Sequence, residues 1–220
     1  MGRKVAGLCI AMGCAIMGGC TTETYESGNG AYSYLRADFV EMHSMAPGKI
    51  DYAVTDDGDS VVLAPHLDVA WAGKADTIYR ALLYYSKEGA TARPVSVSRV
   101  PVMGWKMTDR MDTLPRDPVT LESSWVSGNR KYLNLGIILK TAAADTADAR
   151  HVIGLARDTV TRSDGASDTF RLILAHRQNV EAYYSVKAYL SIPISGLRGY
   201  KKIRLSIQTY QGEKVLEHGL

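Results

Sequence analysis

The sequence predicts an all-β protein, with a small N-terminal OB-like barrel followed by a C-terminal immunoglobulin-like β-sandwich. Three observations lead there. Apolar residues recur at every second position in segment after segment, Gly, Asn and Asp turns separate the segments, and only the short TAAADTADA at 141–149 reads as helix. A repeat of two belongs to a pleated strand with one buried face, and an amphipathic helix cannot satisfy it.

In the first half the strands fall at 32–42, 50–55, 60–64, 78–86 and 95–103, the second and third joined through Asp56-Asp57-Gly58-Asp59. Five strands with a longer connection at 65–77 suit a small barrel. Pro115 and Pro118, with Arg116 and Asp117 between them, mark a boundary. The domains are thus expected at 31–113 and 119–220, with a linker at 114–118.

The second half carries the clearest pattern. In AYYSVKAYLSIPI, 182–194, Tyr184, Val186, Ala188, Leu190, Ile192 and Ile194 share one face. Leu133, Leu135, Ile137 and Leu139 alternate in the same way, as do Ile203, Leu205 and Ile207. Phe170, Leu172 and Leu174 mark another strand, His151, Ile153 and Leu155 a shorter one, and 119–125 a sixth. Ser127-Gly128-Asn129, Ser163-Asp164-Gly165 and the stretch from Gly196 to Gly199 supply turns. Short alternating strands with such punctuation read as a sandwich.

Ahead of both domains stands a different kind of segment. Arg3 and Lys4 precede VAGLCIAMGCAIMG, residues 5–18, which carries no charge. As a helix it covers about 21 Å against a hydrocarbon core of roughly 30 Å, so residues 1–19 read as a signal peptide and not as a span. Met17, Gly18 and Gly19 lead directly into Cys20. This resembles the lipobox of bacterial lipoproteins, which implies cleavage before Cys20, a diacylglycerol on its thiol and an acyl chain on its new amine. Cys14 is a weaker second candidate. Cys9 and Cys14 would leave with the leader, and the mature chain would hold no free thiol, no disulfide and no thiolate metal site. TTETYESGNG, the remainder of a tether at 20–30, lacks apolar periodicity. By analogy with lipoprotein sorting in other Gram-negative bacteria, where an acidic residue after the cysteine signals retention at the inner membrane, Thr21 implies the outer membrane.

Composition narrows the partners. The formal charge of +3 falls to +1 once Arg3 and Lys4 are removed, the first half being net negative and the second net positive. That is no footprint for nucleic acid. Thirteen tyrosines against two phenylalanines favour half-buried strands and binding surfaces alike.

Together the lipobox, the DDG hairpin, DPVTLESSWVSGNRKYLNLGI at 117–137, HVIGLARD at 151–158, FRLILAHRQN at 170–179 and YYSVKAYLSIPISGL at 183–197 resemble the NigD-like lipoproteins of Bacteroidetes. The resemblance spans the mature chain and implies an OB domain followed by a sandwich. It also implies an association with bacteriocin immunity, and no catalytic residues.

No HExxH, GxSxG, phosphate-binding loop or full GxGxxG is present. His43, His66, His151, His176 and His218 are scattered. His176 continues the face of Phe170, Leu172 and Leu174, and reads as a hydrogen-bonded core or rim histidine, as does His151. Asp56, Asp57 and Asp59 lack the spacing and closing glutamate of a calcium loop, and Asp145 and Asp148 are weaker still. Tyr79, Tyr84 and Tyr85 are candidates for a stacking platform. Trp71 and Trp105 read as buried anchors and Trp125 as a cap on the sandwich core. No catalytic, metal or cofactor residue is therefore assigned, and Cys20 is the one assigned site.

The function expected is a non-catalytic module anchored to the outer membrane through lipid, binding a protein, peptide or glycan, possessing no nucleic-acid role, and protective in the manner of bacteriocin immunity. The alternative is a structural subunit of a surface assembly, similar to a fimbrillin-like adhesin. Ordered polymers on size-exclusion would mark the second and a monomer the first.

Overall fold

The computed structural model describes residues 35–89, 91–107, 113–142, 151–158, 168–179 and 184–220. The signal peptide, Cys20, the tether, the helix expected at 141–149 (from residue 143 on), Asp145, Asp148 and the turn Ser163-Asp164-Gly165 lie outside them. The described residues form thirteen strands, all within the unit Tyr34–Leu220.

The first five strands are β1 (Leu35–Ala46), β2 (Lys49–Thr55), β3 (Ser60–Asp68), β4 (Thr77–Glu88) and β5 (Thr91–Arg99). They close into a barrel in the order β1-β2-β3-β5-β4, with β4 pairing back onto β1 and β3 running parallel to β5. This is the OB-like barrel expected, a choice over a second sandwich that alternation alone does not make. Val40, Met42, Ile50, Val61, Leu63, Ala81, Leu83 and Tyr85 fill it. Closure leaves no free strand edge on the barrel. Between β2 and β3 the chain turns at Gly58, whose φ of +93° suits glycine, while the N–H of Thr55 donates to Asp59 O at 2.9 Å and that of Gly58 to Thr55 O at 3.0 Å.

The remaining strands are β6 (Trp105–Met107), β7 (Thr120–Val126), β8 (Tyr132–Thr141), β9 (Val152–Arg157), β10 (Thr169–Arg177), β11 (Tyr184–Pro193), β12 (Lys202–Thr209) and β13 (Gly212–Gly219). They form a five-stranded sheet, β13-β12-β10-β9-β6, and a three-stranded one, β11-β8-β7. Their facing apolar residues make a single core: Leu133, Leu135 and Ile137 from β8, Leu190 and Ile192 from β11, Phe170, Leu172 and Leu174 from β10, and Ile203, Leu205 and Ile207 from β12. Each fully buried aliphatic side chain contributes about 1.5–3 kcal/mol. Two layers over one core is the immunoglobulin-like plan, with the difference that β10 runs parallel to β12 and β6 parallel to β9.

The passage from barrel to sandwich comes earlier than 114–118. Val102 already bridges to Ser191, and β6 pairs with β9, so residues from about Pro101 belong to the sandwich. The expected linker is stitched down as well: Arg116 bridges to His176, its guanidinium reaches Glu213 at 2.6 Å, and Val119 bridges to Thr209. β13 was not anticipated, because GEKVLEHG lies on a sheet edge and stays largely exposed, so it shows no apolar face.

Candidate functional site

The densest polar constellation lies where the barrel rests on the outer face of the three-stranded sheet. Strand β4 places Arg80 there. Its neighbours Ala81, Leu83 and Tyr85 point into the barrel, and the opposite face carries Arg80 and Leu82, both buried. A strand buried on both faces must pair any charge it carries. The Arg80 side chain is 1% exposed and donates through both terminal nitrogens to the two oxygens of Asp56, each at 2.6 Å. Nε donates to Ser191 Oγ at 3.1 Å, and Nη2 also reaches Asn134 Oδ1 at 3.2 Å. Asn134 Nδ2 returns a bond to Asp56 at 3.0 Å, and Ser191 Oγ donates to Asn134 Oδ1 at 2.7 Å. The Tyr132 ring covers the guanidinium, 4.2 Å from its carbon.

Around this centre Phe39 meets Trp125 and Tyr189 edge-on, each at 5.2 Å between centroids. Glu41 accepts from Lys131 Nζ at 2.6 Å and from the Tyr132 hydroxyl at 2.8 Å. Burial, then the bond to Glu41, push the Tyr132 hydroxyl up to about 12. Burial opposes ionisation of Glu41, but the bonds from Lys131 and Tyr132 prevail and leave its carboxyl below the ordinary value. The N–H of Asn129 donates to Asp56 O at 2.6 Å. A Cβ on Gly128 would stand 2.6 Å from Asp57 Oδ1 and 3.1 Å from Asp56 O, so only glycine lets the two turns touch. Trp125, Gly128, Asn129, Lys131, Tyr132 and Asn134 all belong to the WVSGNRKYLN stretch singled out in the sequence. It is the sandwich's docking surface for the barrel.

Several expectations change in consequence. Trp125 does not cap the sandwich core but faces the barrel through Phe39. Asp56 and Asp59, read as part of a hairpin turn and not as a calcium loop, are engaged by side chains: the first holds Arg80, and the second lies 3.5 Å from Lys87. Tyr79, Tyr84 and Tyr85 do not form a platform. Successive residues of a strand point to opposite faces, so Tyr85 is buried in the barrel with its hydroxyl on Asp38 at 2.7 Å, Tyr79 packs against Trp71, and Tyr84 faces the other way. Trp71 and Trp105 are anchors: the first packs on the barrel core, the second on the sandwich core against Phe170.

The histidines are used locally. His43 stands between Asp51, at 2.8 Å from Nδ1, and Asp76, at 3.3 Å from Nε2, and stacks on Tyr52. The bond to Asp51, then that to Asp76, raise its pKa. His176 is the buried core histidine expected. Its Nδ1 lies 2.9 Å from Asp117 O and its Nε2 3.0 Å from Nδ1 of His151. Burial, then the neighbouring His176, lower the pKa of His151. His218 contacts Ser124 Oγ at 3.0 Å, and burial lowers its pKa too. His66 is exposed on β3. Among the described residues no three His, Cys, Asp or Glu side chains are placed to hold a metal ion.

Comparison with known structures gives one consistent fold. The chain is similar to a NigD-like immunity protein from Bacteroides caccae, with 25% identity over 84% of this chain and 91% of that one and a TM-score of 0.63. A protein of unknown function from Bacteroides vulgatus shares the fold at 18% identity and a TM-score of 0.64, covering 84% of this chain and 90% of that one. A candidate lipoprotein from Bacteroides fragilis does so at 14% identity and 0.61, with 84% and 97% covered. No family model matches the chain, and no curated protein does.

Proposed function

We propose that this chain, which belongs to the NigD-like family, is a non-catalytic, lipid-anchored module of the cell envelope that binds or shields at the outer membrane. Cys20 carries the anchor, and the barrel and sandwich stand beyond it as one body. The observation that supports this most is how the junction uses its charges. Arg80, Asp56, Asn134 and Ser191 satisfy one another, which fixes two β-domains as a single rigid surface and spends on architecture the groups that a reaction would need free. A rigid body presents a preformed surface to a partner, and a lipid tether raises its local concentration there. The similarity to an immunity protein favours shielding against a bacteriocin as the specific form.

The test has two arms. Mass spectrometry of the chain isolated from its native membrane is expected to show residues 1–19 removed and acyl chains on Cys20. Cells lacking the protein, challenged with bacteriocin-producing neighbours, are expected to survive less well than cells that carry it, with Cys20→Ser reproducing the loss. An unmodified Cys20 with the leader retained sinks the anchor, and equal survival of all strains sinks the immunity role.

A further inference from the structure

Unlike the barrel, the sandwich has one flank that the described residues cover only in part. The edge strand there is β11. Ser191 shows which way its free groups point: its N–H donates to Pro101 O at 3.0 Å and its carbonyl accepts from Met103 N at 2.8 Å, so the segment Pro101–Met103 lies along the side of β11 away from β8. In an antiparallel pair, alternate residues direct both backbone groups the same way. Ser185, Lys187 and Tyr189 thus present their N–H and C=O to that side too, and none of them meets another backbone group there among the described residues. Among the described residues the covering stops about halfway along the strand.

Beside the covering segment, a groove of about 680 Å³ opens between Pro101–Gly104 and His151–Leu155, with Leu190 of β11 in its lining. Its walls are mostly apolar, and Val102 and Val152 are 49% and 56% exposed. The lining includes Lys106 and His151 but no carboxylate, and Lys106 has no ion-pair partner among the described residues. His151 Nε2 is buried without a formed hydrogen bond. A half-covered strand edge beside an apolar, cationic trough fits one kind of occupant. The edge asks for a backbone, the walls for alternate apolar side chains, and Lys106 for an anion.

We propose that this flank binds an extended peptide segment of a partner protein, apolar at alternate positions and bearing a carboxylate, which continues the seat of Pro101–Met103 along β11. The inference rests on the proposed binding role and names the surface that performs it. A second copy of this chain is a poorer occupant, because a twofold contact turns the same cation-bearing wall onto itself.

Hydrogen exchange read by mass spectrometry on the full chain tests the proposal directly. The probe is a pool of peptides of about eight residues, Val, Leu or Ile alternating with Ser or Thr and ending in a free carboxylate. Addition of the pool is expected to slow exchange in 184–190 and 152–155 and to leave the barrel unchanged. Lys187→Pro removes an outward N–H that β8 does not use, together with the exposed ion pair of Lys187 with Glu122; it is expected to weaken binding of a labelled pool about tenfold, whereas Lys187→Ala, which loses the ion pair and keeps the N–H, is not. Lys106→Glu is expected to weaken the free-acid pool and not the same pool amidated at its C-terminus. No protection at 184–190 overturns the proposal, whatever the variants do. Protection confined to another surface also overturns it while leaving a binding role standing. Protection that appears with rising protein concentration and no peptide assigns the edge to a second copy instead.

Discussion

Barrel and sandwich solve the same problem, a sheet with two faces and two edges, in opposite ways. The barrel closes on itself, so it has no edge, and one outer wall is covered by its neighbour. Among the described residues the sandwich leaves its sheets open, with β11 half covered and β13 largely exposed. Polar chemistry follows the same division. Where the barrel is covered, a guanidinium and a carboxylate are buried and fully bonded. Where the sandwich is open, a lysine with no ion-pair partner and a half-covered strand edge are what the described residues present. The difference separates what holds the molecule in shape from what is left to meet something else.

The sharpest way to break that division is at Arg80. Arg80→Ala strands a buried Asp56 and uncovers Asn134 and Ser191, and is expected to cost about 3–5 kcal/mol in urea unfolding. Adding Asp56→Ala to it is expected to restore part of the loss, because the orphaned charge goes with it. Unfolding in two separate steps would show that Arg80 is what makes the two domains one cooperative unit. A milder intrusion is Gly128→Ala, which presses a methyl group onto Asp57 and the Asp56 carbonyl; a loss of about 1–3 kcal/mol is expected in the same measurement.

The smallest effect divides the domains by pH. In the barrel the carboxylates raise the pKa of His43, so the stability that pair supplies is complete below the unfolded value of about 6.5 and fades as pH rises through the raised folded one. In the sandwich burial lowers the pKa of His151. Its contribution is complete above about 6.5 and is lost as pH falls towards the lowered folded value. The stability difference between wild type and His43→Gln is therefore expected to shrink from pH 5.5 towards alkaline pH, roughly one unit either side of neutral sufficing to show the trend. That between wild type and His151→Gln should turn against wild type as the solution is acidified. Parallel behaviour of the two variants would contradict the assignment of opposite shifts.

How much of this the sequence revealed depends on what each element does. Strands with one buried face declared themselves, as at Leu133, Leu135 and Ile137 or Ile203, Leu205 and Ile207, because period two is written by burial itself. The junction did not. In TIYRALLYYSKE the pattern shows Ala81, Leu83 and Tyr85 on one side, but Leu82 beside Arg80 on the other looks like a stray surface residue unless a second layer is known to cover it. The signal was there in a weaker form: a strand apolar on both faces, with one arginine in it, asks what that arginine is buried against. WVSGNRKYLN was visible as a motif, and its meaning as a docking surface was not, since neither turn says which other turn it touches. β6 and β13 were invisible for an energetic reason. Three residues, or an edge strand in solvent, bury too little to leave a pattern.

The bonds that Arg80 and Asp56 make to Ser191 and Asn134 of the sandwich also govern how the molecule would carry a load. Tension entering at Leu35 and leaving through the sandwich has to pass between the two domains. There these clustered polar bonds share it and give way together, whereas a hairpin pulled from one end opens rung by rung. The junction therefore behaves as a brittle coupling between two tougher bodies, stiff up to a threshold and then abruptly slack.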